Sequence, residues 1–179
     1  MDIDQIREDT PALKEITYMN AAGSSISPEC VYNGMAFILD EESRMGGYHA
    51  HAKYEQELEV DLYASVAQLI NAKPSEIAIV EHATAAWQKI FYSLALTWQS
   101  GDVILSSTTE YGANLVAFMH VKKLYNVDTI IMPDNEFGEV DSIALDTQIE
   151  DLKADGKNVV LITLSHMPSN NGLIQPAEA

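Results

Sequence analysis

Short apolar runs alternate with amphipathic stretches through the second half of the chain. Each run is short enough for a strand, and the later ones lack the strict alternation of a strand with one solvated face. The runs lie at residues 77–80, 103–106, 129–132 and 159–164. Continuous apolar character predicts strands that are covered on both faces of a sheet.

The first three predicted strands are each followed by residues with the apolar spacing of a helix. We predict these helices from Thr84 to about Trp98, from about Gly112 to Lys122, and from about Asp146 to Lys153. Strands and helices in alternation predict an α/β fold, in which helices cover both faces of a mainly parallel sheet.

The first half of the chain predicts helices. Ser27 and Pro28 have the residue types of a helix N-cap and a first helical position. Apolar residues from Tyr54 onward have helical spacing until Pro74 ends the pattern. We therefore predict an N-terminal segment with the first helix, followed by the first part of a larger domain. The proposed ranges are 1–50 and 51–179.

Two glycines separate these predicted helices. Gly46 and Gly47 predict a mobile loop over residues 46–51. His49 and His51 form a His-x-His pair there, which is a possible start for a metal site. No third ligand lies near them in the sequence, so we predict no metal site.

Composition narrows the possible partners. The 179 residues are 47% hydrophobic, which suits a globular protein, and the formal net charge of −17 opposes binding to nucleic acid or to an anionic membrane surface. Cys30 is the single cysteine, which excludes an intramolecular disulfide. The first residues lack the features of a signal peptide, and no apolar run reaches the length of a membrane span. We therefore expect a cytoplasmic protein.

The residues around Thr84 suggest an anion site. A predicted strand runs into the small residues Ala83, Thr84 and Ala85, where a helix begins. The first N–H groups of a helix lack intrahelical partners, and the helix dipole is positive at that end. With the Thr84 hydroxyl as a further donor, we interpret this segment as a cradle for a phosphate group. An ordinary strand–helix junction capped by Thr84 would have the same pattern.

Two further candidates follow later strands. Tyr111 lies at a predicted helix start, where its ring could stack on a planar ligand or cover the sheet edge. Asn170 lies in a turn-forming segment, where its amide could bind a ligand oxygen or its own backbone. Ligands of parallel sheets bind beyond the carboxyl ends of the strands, so we expect Thr84, Tyr111 and Asn170 to converge. The chain lacks the GxGxxG, GxxxxGK[ST], HExxH and GxSxG motifs of other enzyme classes.

Four segments in order along the chain have a recognisable pattern. They read YMNAAG at 18–23, EHATAA at 81–86, EYGAN at 110–114 and SHMPSNNGLIQP at 165–176. Together they resemble motifs of the class V aminotransferases: YLNNAG, NATEA, E-[HY]-x-[AS]-N and SHV-x-x-N-x-G-x-x-x-P. These are fold-type I enzymes that use pyridoxal 5′-phosphate (PLP), and they include cysteine desulfurases and isopenicillin-N-epimerase-like proteins.

The resemblance implies a fold like the large domain of the PLP-dependent transferases and PLP as the cofactor. Ala83 and Thr84 would hold the cofactor phosphate. Tyr111 would stack on the pyridine ring, and Asn170 would approach the ring hydroxyl. A shift of the motif by one position would give that role to Ser169 or Asn171.

The resemblance also implies an amino-acid substrate. Asn20 and Ala22 would lie near the substrate carboxylate. Transamination, lyase and epimerase chemistry all fit this family. Cysteine desulfuration is less favoured, because the thiol nucleophile normally belongs to a later part of the chain. Cys30 is expected to be a small buried hydrophobic residue.

Two segments that complete the site in this family are absent. One is a D-x-A-Q segment whose Asp pairs with the pyridine nitrogen, and the other is an HK-type segment with the Schiff-base lysine. The sequence therefore resembles the N-terminal half of such an enzyme, with no catalytic residue of its own. The alternative is a non-catalytic truncated relative that acts as an interaction protein or is an inactive remnant. Because the last strand would leave an unpaired apolar edge, we expect a homodimer or a complementary second-half chain.

Overall fold

The structure is a computed structural model that describes residues 2–177. These residues form two compact units, divided between Ile79 and Val80, which are described separately. The domain ranges 1–50 and 51–179 stay a prediction. Within residues 2–177, no helix combines the length and the apolar character that crossing a bilayer requires.

The first unit is helical. Asp2 caps the first helix by accepting hydrogen bonds from the Asp4 and Gln5 amides, both at 3.1 Å. The α-helices are α1 (Ile3–Glu8), α2 (Glu29–Met45), α3 (Gly47–Lys53) and α4 (Leu62–Leu69). Short 3₁₀ helices cover Pro11–Lys14 and Pro74–Glu76, and a π-helix covers Gln56–Asp61.

Three predictions for this unit are wrong in detail. Residues 46–51 are not a loop, because Gly46 alone makes the turn with a φ of 81° and α3 begins at the next residue. The region after Tyr54 is a π-helix followed by α4 rather than one helix. Pro28 occupies the N-cap position of α2 instead of its first turn, and no side chain caps that end.

Cys30 in this unit also differs from expectation, and the structure shows the partner of one residue of the His-x-His pair. Cys30 is exposed on the first turn of α2, so it is not a buried hydrophobic residue. His49 and His51 lie two positions apart on α3, where side chains do not face each other. His51 pairs instead with Glu59, at 3.1 Å between Nε2 and Oε1. Across the described residues, no cluster of three or more His, Cys, Asp or Glu side chains is suited to hold a metal ion.

A buried carboxylate joins α2 to the end of α3. Glu41 accepts hydrogen bonds from Lys53 Nζ and from the Tyr54 hydroxyl, each at 2.6 Å. The bond from Lys53, followed by that from Tyr54, lowers the pKa of Glu41 below its ordinary value. The same pairing raises the pKa of Lys53. The Phe37 ring packs edge-on against Tyr54, with ring centroids 5.2 Å apart.

The second unit is the predicted α/β layer. Its sheet contains β1 (Val103–Ser106), β2 (Asp128–Ile131) and β3 (Val159–Thr163), all parallel in the order β2-β1-β3. Its helices are α5 (Ala83–Ala95), α6 (Gly112–Tyr125) and α7 (Ser142–Ala154). Residues 77–80 do not form the predicted strand. The division between the units falls within them, and they pair with no strand of the sheet of the described residues.

Both faces of this sheet are covered. Ile104 faces a cluster with Phe91 of α5 and Phe118 of α6. Val103 and Leu105 face the opposite cluster, against which α7 packs. The helices on both faces confirm the predicted layering. As expected, β3 is an edge strand, and Ile162 on it is exposed.

Candidate functional site

The carboxyl ends of β1 and β3 carry two of the predicted site residues. β1 ends at Ser106, and the chain then reaches Tyr111, which lies at the N-cap position of α6 and is 54% exposed. β3 ends at Thr163 and leads into the segment that contains the exposed Asn170. Parallel strands place these two connections at the same edge of the sheet.

Glu110 ties these two connections together. It is 6% exposed, and its Oε1 accepts hydrogen bonds from the Tyr111 amide at 2.8 Å and from Asn114 Nδ2 at 3.0 Å. The same oxygen accepts from Ser165 Oγ, which follows β3, at 3.1 Å. Its other oxygen, Oε2, accepts from the Thr163 hydroxyl. One buried carboxylate therefore joins the connection after β1 to the residues at the end of β3.

The beginning of α5 presents free donors. His82 caps this helix, because its Nδ1 accepts from the Ala85 amide at 3.1 Å and its carbonyl accepts from the Ala86 amide at 3.1 Å. The alternative interpretation, in which Thr84 is the cap, is therefore wrong. Among the hydrogen bonds of the described residues, the amides of Ala83 and Thr84 have no protein acceptor. This arrangement matches the donor set that binds phosphate at a helix N-terminus.

Helices α5 and α6 begin at the same end. Trp87 packs against Phe118 with ring centroids 5.8 Å apart, and further along both helices the Tyr92 hydroxyl is 2.9 Å from His120 Nδ1. Past the far ends of both helices, Asn126 Nδ2 donates to Ser100 Oγ at 2.9 Å. The two helices therefore run in the same direction. The open donors of α5 and the exposed Tyr111 at the start of α6 consequently lie toward one end of the unit.

The segment after β3 is held at both ends and exposed in its middle. Ser165 binds Glu110 at one end. At the other end Gln175 is fully buried, and its Oε1 accepts from the Val140 amide at 2.9 Å. The backbone N–H of Gln175 donates to the His166 carbonyl at 2.7 Å, so the two ends of the segment are joined. Asn170 lies in the exposed turn between these anchors.

The two predicted substrate residues lie in the first unit. Asn20 begins a tight turn, in which its carbonyl accepts from the Gly23 amide at 3.0 Å and from the Tyr18 hydroxyl at 3.1 Å. Asn20 and Ala22 are both exposed. Their substrate role stays a prediction, as do the cofactor roles of the residues in the second unit.

The residues of the second unit fit the PLP groups that the resemblance implies. Open backbone donors and the Thr84 hydroxyl suit a phosphate, and the exposed aromatic ring of Tyr111 suits a planar heterocycle. Asn170 supplies an amide that can donate to a ring oxygen.

Comparison with known proteins decides the family. The family model described as Aminotransferase class-V matches residues 17–179. The chain belongs to the class V aminotransferase family. Enzymes of this family use PLP as their cofactor.

One relative of this class V chain is a probable cysteine desulfurase of Vibrio cholerae. The two are 27% identical over 190 residues, which cover 100% of this chain and 45% of that protein. The chain thus spans less than half the length of the relatives that it matches, and it corresponds to the N-terminal half of such an enzyme.

Solved structures establish the same fold. A variant of C-DES with glycine covalently linked to its PLP cofactor has a TM-score of 0.77 at 20% identity. That match covers 95% of this chain and 43% of C-DES. An apo cysteine desulfurase from Thermococcus onnurineus has a TM-score of 0.76 at 18% identity, covering 98% of this chain and 43% of that one. The sheet described here is therefore part of the fold of these PLP-dependent enzymes, and this chain contains less than half of that fold.

Sequence reasoning missed three residues that shape this edge. The position of Glu110 after a strand does not predict its hydrogen bonds, and the sequence predicts neither the cap at His82 nor the buried anchor at Gln175. A glutamate four residues before an asparagine at a helix start was an available signal for a side-chain hydrogen bond. The partners of Glu110 beyond β3 lie more than fifty residues away in sequence, and no local pattern indicates them.

Proposed function

We propose that this chain is the N-terminal, phosphate-binding half of a PLP-dependent enzyme acting on an amino acid. The observation that carries the proposal is the donor set at the start of α5, where Ala83 and Thr84 offer amides without protein acceptors. Family membership supports it, because the family match covers this segment, and residues 81–86 resemble the family's NATEA phosphate motif. Ala83 and Thr84 would bind the phosphate, and Tyr111 and Asn170 would orient the ring.

When bound, PLP supplies an electron sink that stabilises negative charge at the α-carbon of an amino acid. This chain contributes binding and orientation. The α5 donors would neutralise the phosphate charge, and the face of Tyr111 would exclude water from one side of the ring. Asn20 and Ala22 would contact the substrate carboxylate.

The reaction type is narrowed by the relatives. The Vibrio cholerae and Pyrococcus abyssi proteins are both named probable cysteine desulfurases. They favour removal of sulfur from cysteine over the transamination and epimerisation that the sequence alone left open. The exposed Cys30 has no assigned part in this chemistry.

The open edge of the sheet is a surface for a partner. The exposed Ile162 on edge strand β3 is suited to pairing with a further strand. We propose that this edge pairs with a second polypeptide, either a complementary chain or another copy of this chain. Sedimentation checks the proposal, and a stable monodisperse monomer would contradict it. A cytoplasmic location stays a prediction.

The alternative is a non-catalytic relative that acts through protein contacts. One observation favours it, since β3 is an edge strand whose Ile162 is exposed, which suits a protein contact. Under this alternative, the edge described above would bind no phosphorylated ring.

Binding of pyridoxine 5′-phosphate separates the two functions. This probe has the ring and phosphate of the cofactor but no aldehyde, so it cannot react with surface lysines. We expect saturable binding to the wild-type chain, monitored by quenching of Trp87, which lies one turn into α5. Thr84→Ala should weaken the binding, whereas Thr97→Ala, beyond the other end of α5, should not. Absence of saturable binding would favour the non-catalytic alternative.

A further inference from the structure

The five hydrogen-bond donors around Glu110 come from three different parts of the second unit. Tyr111 N and Asn114 Nδ2 belong to the start of α6. Ser106 Oγ, 3.4 Å from Oε2, belongs to the end of β1. The remaining donors are the Thr163 and Ser165 hydroxyls at the end of β3. A carboxylate with two oxygens is the side chain that can accept all of them at once.

The two oxygens of Glu110 have different partners. Oε1 accepts from the Tyr111 amide, from Asn114 Nδ2 and from Ser165 Oγ. An amide N–H and a side-chain NH₂ are donors only, so this oxygen must remain an acceptor. Oε2 faces only the hydroxyls of Ser106 and Thr163, and a hydroxyl can reverse its role and accept instead.

We propose that Glu110 is a positioning residue that fixes Tyr111 and residues 165–170 in one arrangement for the cofactor ring. The proposal rests on the proposed function for its ligand. Glu110 acts through Tyr111, whose backbone it binds directly, and through Ser165, the first anchor of the segment that carries Asn170. Removing this carboxylate should therefore release Tyr111 and residues 165–170 together.

Gln175 offers a contrasting anchor. It holds the far end of the same segment through the Val140 amide, at 2.9 Å. Toward the connection that carries Tyr111, it makes only a long hydrogen bond among the described residues, from Nε2 to Thr109 Oγ1 at 3.5 Å. Loss of Gln175 should therefore loosen the segment around Asn170 more than it loosens Tyr111.

Four variants separate positioning from general stability. Glu110→Leu removes every acceptor. Glu110→Gln can keep an oxygen toward Tyr111, Asn114 and Ser165 and turn its NH₂ toward the hydroxyls. This variant should therefore retain the wild-type arrangement of both segments. Ser165→Ala removes one donor and leaves the rest of the cluster intact. It tests the same link if Glu110→Leu fails to fold. Gln175→Leu is the matched control for the far end.

Hydrogen exchange on the full chain reads the coupling without a ligand. In Glu110→Leu we expect roughly tenfold faster exchange in residues 111–114 and in 165–170, relative to α7. Glu110→Gln should stay close to wild type. Ser165→Ala should accelerate exchange in 165–170 more than in 111–114. Gln175→Leu should accelerate exchange in 166–174 and leave 111–114 close to wild type, because only its long bond to Thr109 reaches that connection. Equal acceleration in α7 would mean general destabilisation and would overturn the proposal.

Ligand binding reads the consequence. We expect Glu110→Leu to weaken binding of pyridoxine 5′-phosphate roughly tenfold, which corresponds to about 1.4 kcal/mol. In a Tyr111→Ala background the same substitution should cost clearly less, because part of its effect passes through Tyr111. Equal losses in both backgrounds would contradict action through Tyr111. If the wild type binds no probe, the proposed function fails, and the hydrogen-exchange result alone decides whether Glu110 couples the two segments.

Discussion

The two compact units contain similar apolar side chains but bury them very differently. In the second unit Ile104, Phe118 and Val121 are almost inaccessible to solvent. In the first unit Met19 is 91% exposed, and Tyr48 is 95% exposed. Among the described residues of the first unit, the buried hydrophobic side chains are two alanines, Ala50 and Ala67. Apolar content is therefore a poor guide to where a core forms.

The difference follows from architecture. A parallel sheet has two broad faces, and α5, α6 and α7 cover them. Helices without such a layer must bury their apolar stripes against each other. In the first unit a polar network of Glu41, Lys53 and Tyr54 joins α2 to the end of α3, beside the ring contact of Phe37 with Tyr54.

The largest expected effect is in the core of the second unit. Phe91 packs against Trp87 with ring centroids 4.5 Å apart, and Phe91→Ala should cost about 3–5 kcal/mol of unfolding free energy. Urea unfolding followed by tryptophan fluorescence measures this, because Trp87 and Trp98, the chain's two tryptophans, both lie in the second unit. The matched control is Phe37→Ala in the first unit, which should leave that transition unchanged. A comparable loss in both variants would contradict the contrast between the units.

An intermediate effect is expected at Glu41. Glu41→Gln removes the charged partner of Lys53 and should accelerate hydrogen exchange in α3, whereas the exposed Glu42→Gln on the same helix should not. Unchanged exchange in α3 would show that this carboxylate does not hold the two helices together.

The same network predicts a pH dependence. The pKa of Glu41 is lowered by folding, so its stabilisation is present above its ordinary value of 4.5 and is lost as the pH falls through the lowered pKa. The pKa of Lys53 is raised, so its stabilisation is present below 10.5 and is lost as the pH rises through the raised pKa. The advantage of wild type over Glu41→Gln in thermal unfolding should therefore shrink in acid. If the difference in thermal stability between wild type and Glu41→Gln grew toward low pH, the lowered pKa of Glu41 would be contradicted.

The smallest expected effect compares two helix caps. Asp141 Oδ1 accepts from the Ile143 and Ala144 amides at 3.0 Å and caps α7, so Asp141→Ala should cost about 1 kcal/mol. Asp2 caps α1 in the same way. Leu145 and Ile149 of α7 pack against a core cluster, whereas no side chain of α1 packs against either core cluster of the described residues, so Asp2→Ala should cost at most a few tenths of a kcal/mol. Urea unfolding of both variants checks the difference, and equal costs would show that caps act independently of packing.

Local pattern predicted the elements of the second unit well. The strand at 103–106 has the predicted bounds, and α6 begins at Gly112 as expected. Helix α7 begins at Ser142, earlier than predicted, because Asp141 supplies a cap that the apolar spacing does not reveal. Residues 77–80 have the composition of a strand without being one, since a strand also requires a neighbour.

The candidate site was predictable in residue type and incomplete in its connections. Tyr111 and Asn170 could be placed because each follows an apolar strand. The cap at His82 could not, because a histidine is not a usual N-cap and only the backbone course brings its Nδ1 to the Ala85 amide.

The sequence by itself determined the α/β order of the second unit and the family, because periodicity and short motifs are local properties. The tertiary structure alone decided which apolar residues are buried and which distant groups meet at Glu110. Thr163 and Ser165 reach that carboxylate only because β1 and β3 lie side by side in the sheet. Strands that are distant in sequence pair only when the long connection between them folds and brings them together, and no local stretch of residues encodes that pairing.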